Sequence, residues 1–397
     1  MNLTLRTVLF LSTFVGVTVS LHVYFYLRLV RDTSLPGPWR RLATFTVLTL
    51  LLSLLGSLFL RRVLPFGATR WVMTPIYLWM GMVFYVFLLL LSGDLVRLGV
   101  YISGWLGSRD APDPQRRLFL SRVLGGAAVA GAAAIATLSM RRALALSQVV
   151  VEQVEVPLAR LPKALDGFRI AQLSDLHIGL PLGKDWLEGI VAKTNALGAD
   201  AIVITGDLVD GEVADLREEV APLTQLKARE GVYLCTGNHE YYSGAARWCA
   251  EFSRMGLKVL RNERVAIGRD DQNARVTFDL AGIDDYNAWG EEGHGPDLKR
   301  ALAGRDERRE LLLLAHQPRH VHEAAAAKVG LQLSGHTHGG QLWPCHYLVK
   351  LQQPYISGLH DHQGTKLYVS QGTGFWGPPL RLGSRAEISL ITLRARG

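Results

Sequence analysis

Residues 7–27, 42–60 and 71–93 contain no Asp, Glu, Lys or Arg, and no other feature limits the possible folds of this chain so severely. A hydrocarbon layer of ~30 Å is crossed by about 20 apolar residues in an α-helix. Inside such a layer every backbone N–H and C=O must find its partner within the chain, so an uncharged run of this length reads as helix. Arg residues bound the runs: Arg40 and Arg41 precede the second, and Arg61, Arg62 and Arg70 separate the second from the third. A fourth run, residues 123–140, is rich in Ala and Gly and only mildly apolar. The expectation is an all-α transmembrane region over residues 1–150 with about four helices, at 7–27, 42–60, 71–93 and 123–140.

The charge divides at the same place. Residues 1–150 hold 15 Arg, no Lys and four Asp, a net +11, whereas the remainder carries 28 basic and 31 acidic residues, a net −3. The basic character of the whole chain therefore belongs to the ends of apolar runs, where it is a membrane-topology feature. Nucleic acid is not the partner such a distribution serves. Cys235, Cys249 and Cys345 form neither a disulfide framework nor a CxxC zinc pattern, which leaves them as buried or incidental thiols.

Arg also sets the expected orientation. The loops after the first and third runs carry nine Arg (28, 31, 40, 41, 97, 109, 116, 117 and 122), against six (6, 61, 62, 70, 141 and 142) on the opposite side. The richer side lies inside, which places residues 151–397 on the outer, periplasmic face of an inner membrane. Residues 115–121, with Arg116, Arg117, Phe119 and Leu120 ahead of the mild fourth run, are similar to a twin-arginine export signal; an ordinary juxtamembrane basic cluster reads the same way. His22 is either a tolerated polar residue near an interface or part of a proton relay, with no acidic residue inside any of the runs.

From residue 151 the pattern changes to short apolar runs alternating with amphipathic stretches, as in layered α/β domains. Residues 201–207 begin with Ala201, Ile202, Val203 and Ile204 and end in Thr205, Gly206 and Asp207. Continuous apolar character marks a strand buried on both faces, and ligands of such sheets gather at the carboxyl ends of strands. The formula recurs at 168–175 ending in Asp175, 231–240 running into Asn238, His239 and Glu240, 311–316 ending in His316, and 331–336 ending in His336. Helices are expected at 185–196, 215–226 and around 245–255.

Taken singly, an Asp-x-His is a polar loop, an Asn-His-Glu a helix N-cap and a His-x-His a surface pair. Five strand ends in succession make a site. Asp175, His177, Asp207, Asn238, His316, His336 and His338 offer carboxylate, amide and imidazole donors without thiolate. That mixture suits Mn²⁺, Fe, Zn²⁺ or Mg²⁺ better than a structural zinc. Two cations ~3.5–4 Å apart that share one carboxylate clamp the attacking and leaving oxygens of a phosphoryl group, and Asp207 is the candidate for the shared position.

With Asp175 and His177, Gly206 and Asp207, Gly237 through Glu240, His316, and Gly335 through His338 in place, the chain resembles the calcineurin-like metallophosphoesterase superfamily over residues 168–340. Gly335 through Gln341, the stretch 370–377 and the later Arg381, Leu382, Glu387 and Ile388 resemble a bacterial membrane-associated subgroup, which often has Pro where Arg385 and Ala386 stand here. The resemblance implies a four-layer α/β/β/α domain over residues 151–397, with residues 275–282, 366–371 and 387–393 building the second sheet. It implies one metal held by Asp175, His177, Asp207 and His338, and a second held by Asp207, Asn238, His316 and His336. His239 is then the catalytic imidazole, and two divalent ions, Mn²⁺ favoured, are the cofactors.

The expected activity is hydrolysis of a phosphate ester or anhydride. A membrane-tethered domain points to a phosphodiester of a lipid or glycolipid; the subgroup also includes a UDP-2,3-diacylglucosamine pyrophosphatase, a reaction that needs a cytoplasm-facing domain. Residues 283–289 and 343–347 place aromatic and polar groups near the strand ends, either to grip substrate or to pack. Two rivals from other classes are a membrane sensor or transporter with an attached phosphoesterase domain, and a metal-dependent binding module without catalysis.

Overall fold

The computed structural model describes residues 3–106, 113–271, 274–290 and 294–396. Arg109, used above to orient the chain, lies outside these residues, as do the side chains of Arg6, Arg61, Arg62 and Trp289. The chain divides into two compact units, Met1–Met140 with Gly377–Pro379, and Arg141–Trp376 with Leu380–Gly397.

The first unit is built on α1 (Leu3–Phe25), α2 (Gly37–Val63), α3 (Phe66–Leu106) and α4 (Pro114–Leu144). Four stretches are long and apolar enough to cross a membrane: Val8–Arg31, Gly37–Leu60, Gly67–Leu106 and Pro114–Leu144. Large apolar side chains such as Phe45, Phe59 and Trp71 are exposed on them, a surface that lipid rather than water would cover. The helices outrun the uncharged runs because charge does not end a helix when the charges pair. Asp94, one residue beyond the third run, accepts from Tyr24 Oη at 2.6 Å and Arg28 Nε at 2.9 Å. Arg28 itself lies in a π-helical turn, Tyr26–Arg31, that continues α1. His22 is buried with both ring nitrogens engaged, Nδ1 at 2.8 Å from the Thr18 carbonyl and Nε2 accepting from Trp79 Nε1 at 3.2 Å. Arg116 and Arg117 sit inside α4.

The second unit contains two six-stranded sheets among the described residues. The first has the order β1-β12-β2-β3-β4-β5, made of β1 (Val150–Leu158), β2 (Phe168–Leu173), β3 (Ala201–Thr205), β4 (Val232–Cys235), β5 (Lys258–Val259) and β12 (Glu387–Ala395). The second has the order β10-β11-β9-β8-β7-β6, made of β6 (Glu263–Asp271), β7 (Ala274–Gly282), β8 (Leu311–Leu314), β9 (Leu331–Ser334), β10 (Gly358–His362) and β11 (Thr365–Val369). Helices α5 (Lys184–Ala196), α6 (Val213–Val220), α7 (Asn238–Tyr242) and α8 (Ala245–Arg254) follow strands of the first sheet. Helices α9 (Leu298–Leu302), α10 (Val321–Ala326) and α11 (His346–Val349) belong to the second half. The expected helix over 215–226 is shorter: α6 stops at Val220 and a 3₁₀ turn carrying Pro222 follows, since Pro cannot donate to the preceding turn.

Side-chain alternation along each strand divides the core into layers. Val203, Phe168, Ile170 and Ile391 from the first sheet meet Phe278, Leu280, Leu312 and Leu333 from the second in one buried cluster. Phe168 and Phe278 sit edge to face with centroids 5.2 Å apart. Each such side chain contributes about 1.5–3 kcal/mol on full burial. The other face of the second sheet packs Leu311, Leu313 and Ala281 with Leu298 and Ala301 of α9 and Ala324 of α10. The architecture is the expected four-layer α/β/β/α sandwich.

One strand corrects the sequence reading. Residues 387–393 were expected in the second sheet, yet β12 runs between β1 and β2 in the first, parallel to one and antiparallel to the other. Its apolar residues Ile391 and Leu393 fill the space between the sheets from the first-sheet side, and an apolar run alone does not say from which side it enters. The five polar-ended strands also divide between sheets, β2, β3 and β4 in one, β8 and β9 in the other. Gln172 joins the two halves beneath those ends, donating to Thr205 Oγ1 at 2.9 Å and to the Ser334 carbonyl at 3.0 Å.

Candidate metal centre

All eight residues singled out in the sequence, Asp175, His177, Asp207, Asn238, His239, His316, His336 and His338, converge at this edge of the two sheets. Five of them reach it through strained backbone. Asp175, His177, Asp207, His336 and His338 all have φ between 47° and 70°, a region non-glycine residues rarely enter and which clusters at functional sites. Turning so sharply off a buried strand leaves no room beside the turn. A Cβ on Gly335 would collide with Ser174 and Asp175, and Gly206, at φ +83°, would press one within 2.5 Å of the Gly237 nitrogen. The glycines ahead of Asp207 and His336 are steric requirements of the site.

Two sets of acceptors face inward. His316 Nδ1 lies 2.7 Å from the Thr205 carbonyl oxygen, which requires the proton on Nδ1 and turns Nε2 into the site. There burial opposes but Asp207 favours a second proton, raising the imidazole pKa well above its ordinary range. Nε2 faces Asp207 Oδ2 at 3.1 Å, Asn238 Oδ1 at 3.2 Å and His336 Nδ1 at 3.2 Å. In the second set His177 Nδ1 is held 3.0 Å from Asp210 Oδ1, again directing Nε2 inward, 3.1 Å from His338 Nε2 and 3.8 Å from Asp207 Oδ2. Asp175 Oδ1 lies 3.4 Å from the same His338 nitrogen. Asp175, His177 and His338, and separately Asp207, His316 and His336, bring one ligand atom each within 4.8 Å of one another. Ligand atoms crowded in this way need positive charge among them, which a proton on His316 supplies in part, and the N/O donors fit a divalent ion of the Mn, Fe, Zn or Mg kind. Asp207 touches both sets.

The electrostatics agree. Burial pushes the Asp207 carboxyl up, but the neighbouring His316 and His239 imidazoles hold it well below the usual carboxylate range. Burial likewise opposes charge on His239, yet Asp207 and Asp210 raise its pKa to about 9. His336 goes the other way, lowered to about 3 by burial and then by His316. Burial raises the Asp175 carboxyl, so the site needs added positive charge to hold both carboxylates ionised.

Two contributors escaped the sequence reading. Asp210 Oδ1 lies 2.5 Å from His239 Nδ1 as well as 3.0 Å from His177 Nδ1; its position three residues after Asp207 was the available indication. Glu240, read as part of an N-cap, is buried, and its carboxylate accepts the main-chain N–H groups of Asp207, Leu208 and Gly237 at 3.0, 2.7 and 2.7 Å. The tail blocks buttress the site. Buried Arg381 donates to the carbonyls of Gln371, Gly372 and Arg385 at 2.8, 3.1 and 2.9 Å, while the Gly374 N–H reaches the Asp175 carbonyl at 2.9 Å. Residues 283–289 mostly pack. Asp284 pairs with Arg261 at 2.8 Å, Asp285 accepts from Gln317 Nε2 at 3.0 Å, and Tyr286 lies under the Arg319 guanidinium at 4.3 Å.

Known proteins share these features. Residues 168–340 match the family model described as calcineurin-like phosphoesterase. An uncharacterized metallophosphoesterase of Campylobacter jejuni is 30% identical over 377 residues, covering 94% of this chain and 95% of that protein. Proteins named transmembrane protein with metallophosphoesterase domain, from Danio rerio and Bos taurus, are 40% identical over 250 residues and 42% over 256. Each covers 62% of this chain, and this chain spans 57% of the length of each. Fold and site together define a metal-binding phosphoesterase domain. The chain belongs to the calcineurin-like metallophosphoesterase family.

Proposed function

We propose that the protein is a membrane-anchored, metal-dependent phosphoester hydrolase whose membrane region and catalytic domain meet near residue 150. The carrying observation is the convergence of Asp207 Oδ2, Asn238 Oδ1 and His336 Nδ1 on His316 Nε2, three atoms within 3.2 Å of that nitrogen. One cation belongs with Asp175, His177, Asp207 and His338, the other with Asp207, Asn238, His316 and His336, and Mn²⁺ is the favoured metal for both. When bound, the two ions supply Lewis acidity to a phosphoryl group and acidify water.

The chain's own residues do the rest. Asp207 serves both positions, and its Oδ1 accepts the His239 main-chain N–H at 2.8 Å, which fixes the backbone that carries the catalytic imidazole to the shared ligand. Asp210 holds His239 Nδ1 at 2.5 Å, so Nε2 is the atom that meets a phosphoryl oxygen or protonates a leaving alcohol. Two divalent ions among buried anionic and neutral donors favour a dianionic or monoanionic phosphoester over neutral substrates.

A phosphodiester of a lipid or glycolipid is the substrate class we favour, because a tether of four membrane-length helices holds the site beside lipid-borne phosphates. The Arg bias among the loops supports a multi-pass protein of the inner membrane with the catalytic domain outside. A UDP-2,3-diacylglucosamine pyrophosphatase requires the opposite orientation, so topology and substrate are coupled. The test is a panel of phosphomonoesters, phosphodiesters, phospholipids and UDP-linked glycolipids with Mn²⁺ and the full chain in detergent, joined to reporter fusions at residue 150. Hydrolysis of lipid diesters by a chain whose fusions are active outside the cytoplasm is expected. Fusions active only in the cytoplasm, with turnover confined to the UDP-linked lipid, overturn the reading.

A further inference from the structure

The acidic residues of the second unit are unevenly spread. Between Glu323 and Glu387 a single one occurs, Asp361, and it is paired with Lys366 at 2.7 Å. This long acid-poor stretch contains His336 and His338 and leads directly into an exposed apolar element. Gln341, three residues beyond His338, turns at φ +47°, and α11 with the turns on either side of it carries Trp343, Tyr347, Leu348 and Leu351. Main-chain bonds from Leu351 N to Leu348 O at 3.1 Å and from Gln352 N to Val349 O at 3.0 Å extend the helical path past Val349. At helical spacing Tyr347, Leu348 and Leu351 share one face, and Trp343 stands in the turn before it. All are exposed, Leu351 to 82%, with exposed Lys350 among them.

This face is joined to the catalytic edge. Gln341 is hydrogen-bonded to the Trp376 main chain twice, Nε2 to O at 2.8 Å and N to Oε1 at 3.0 Å. Trp376 is itself exposed to 56%, and its ring lies 6.1 Å from that of His239. Buried Gln341 thus ties Trp376, beside the His239 imidazole, to the segment that leads into α11. Water-soluble surfaces rarely present Trp, Tyr and Leu together at this exposure. The same composition, with Lys350 within it and no acidic residue between Glu323 and Asp361 in the sequence, suits the headgroup layer of a bilayer, where indole and phenol rings settle and Lys meets anionic lipid. The occupant is supplied by the chain itself, since its membrane-length helices hold the domain at a bilayer whether or not any protein partner is present.

We propose that Trp343, Tyr347, Leu348 and Leu351 form an interfacial wedge that seats in the headgroup layer of an anionic bilayer and presents lipid phosphodiesters to the metal centre. The presentation of substrate rests on the lipid-phosphodiester reading above; the seating does not. The test uses the full chain in nanodiscs containing phosphatidylglycerol, in a Cys345→Ser background. Nitroxide labels are placed at Leu348→Cys, at Leu351→Cys and, as an aqueous reference, at Arg308→Cys, where the side chain is 91% exposed. Labels at 348 and 351 should relax more with oxygen than with a water-soluble nickel chelate, and the label at 308 the reverse. In parallel, Leu348→Asp should lower by at least tenfold the ratio of turnover on a bilayer-resident phosphodiester to turnover on a soluble chromogenic one.

Labels at 348 and 351 as aqueous as that at 308 overturn the proposal. So do labels shielded from both relaxants, which mark a protein-covered surface. Embedded labels on a protein that hydrolyses the soluble diester but no bilayer lipid uphold the wedge and overturn the substrate reading instead.

Discussion

Glu240 holds Asp207 by its main chain: a carboxylate oxygen accepts the Asp207 N–H at 3.0 Å, while its partner oxygen takes the Leu208 N–H at 2.7 Å. The proposed shared ligand is thus held from behind by a residue whose carboxylate is taken up by main-chain N–H groups. Replacing Glu240 with Ala leaves these N–H groups and that of Gly237 buried without acceptors, at about 1–3 kcal/mol for each. The expected result is a loss of at least ~2 kcal/mol in stability with reduced bound metal. Denaturant unfolding and elemental analysis of the detergent-solubilised chain measure both.

Asp207 and His239 should separate metal binding from chemistry. Asp207→Ala and His239→Ala are each expected to lower turnover by at least ~10²-fold. Only Asp207→Ala should also strip metal, because Asp207 touches both acceptor sets whereas His239 is directed at Asp210. Metal content measured alongside kcat decides it, and full activity in Asp207→Ala would end the shared-ligand assignment.

Asp210 orients two imidazoles at once, His177 at 3.0 Å and His239 at 2.5 Å. Asp210→Asn keeps the shape but loses the anionic acceptor, and groups in this position are worth about 10–100-fold in metal affinity or activity. The fall should appear mainly in kcat with KM little changed. A titration of activity against added Mn²⁺ tells loss of metal affinity from loss of His239 alignment.

Chelation should loosen the domain as well as silence it. The two acceptor sets draw ligands from both sheets, so a bound ion stabilises the folded state by mass action, about 2.7 kcal/mol at 100 times its Kd. EDTA is expected to lower the unfolding midpoint reported by the second unit and to leave the helical signal of the first unaffected. Intrinsic fluorescence and far-ultraviolet circular dichroism, followed together through a thermal ramp, test this.

The legible parts of this molecule are those with local chemistry. Ala201 through Asp207 announces a buried strand and its terminal carboxylate without help from the rest of the chain, and the same holds for residues 311–316 and 331–336. Asp210 was not legible, because its role exists only once His177 and His239, separated by 62 positions in the chain, are folded to the same place. The strand at 387–393 was legible as a strand but not as a member of the first sheet, since pairing is decided by neighbours far away. The left-handed turns at Asp175, His177, Asp207, His336 and His338 were hidden for another reason: Asp and His carry no mark of φ, and only the adjoining Gly206 and Gly335 hinted at close quarters.

The placing of β12 has a consequence for biogenesis. Its seat lies between β1 and β2, which belong to residues 150–173, while the strand itself comes from Glu387–Ala395. A ribosome must therefore release more than two hundred further residues before β2 gains its neighbour on that side, and meanwhile that edge offers unpaired N–H and C=O groups to any passing strand. Closing so distant a pair is slow. Nascent chains stalled short of residue 387 should therefore be captured by chaperones or aggregate, however complete their ligand set through His338 already is.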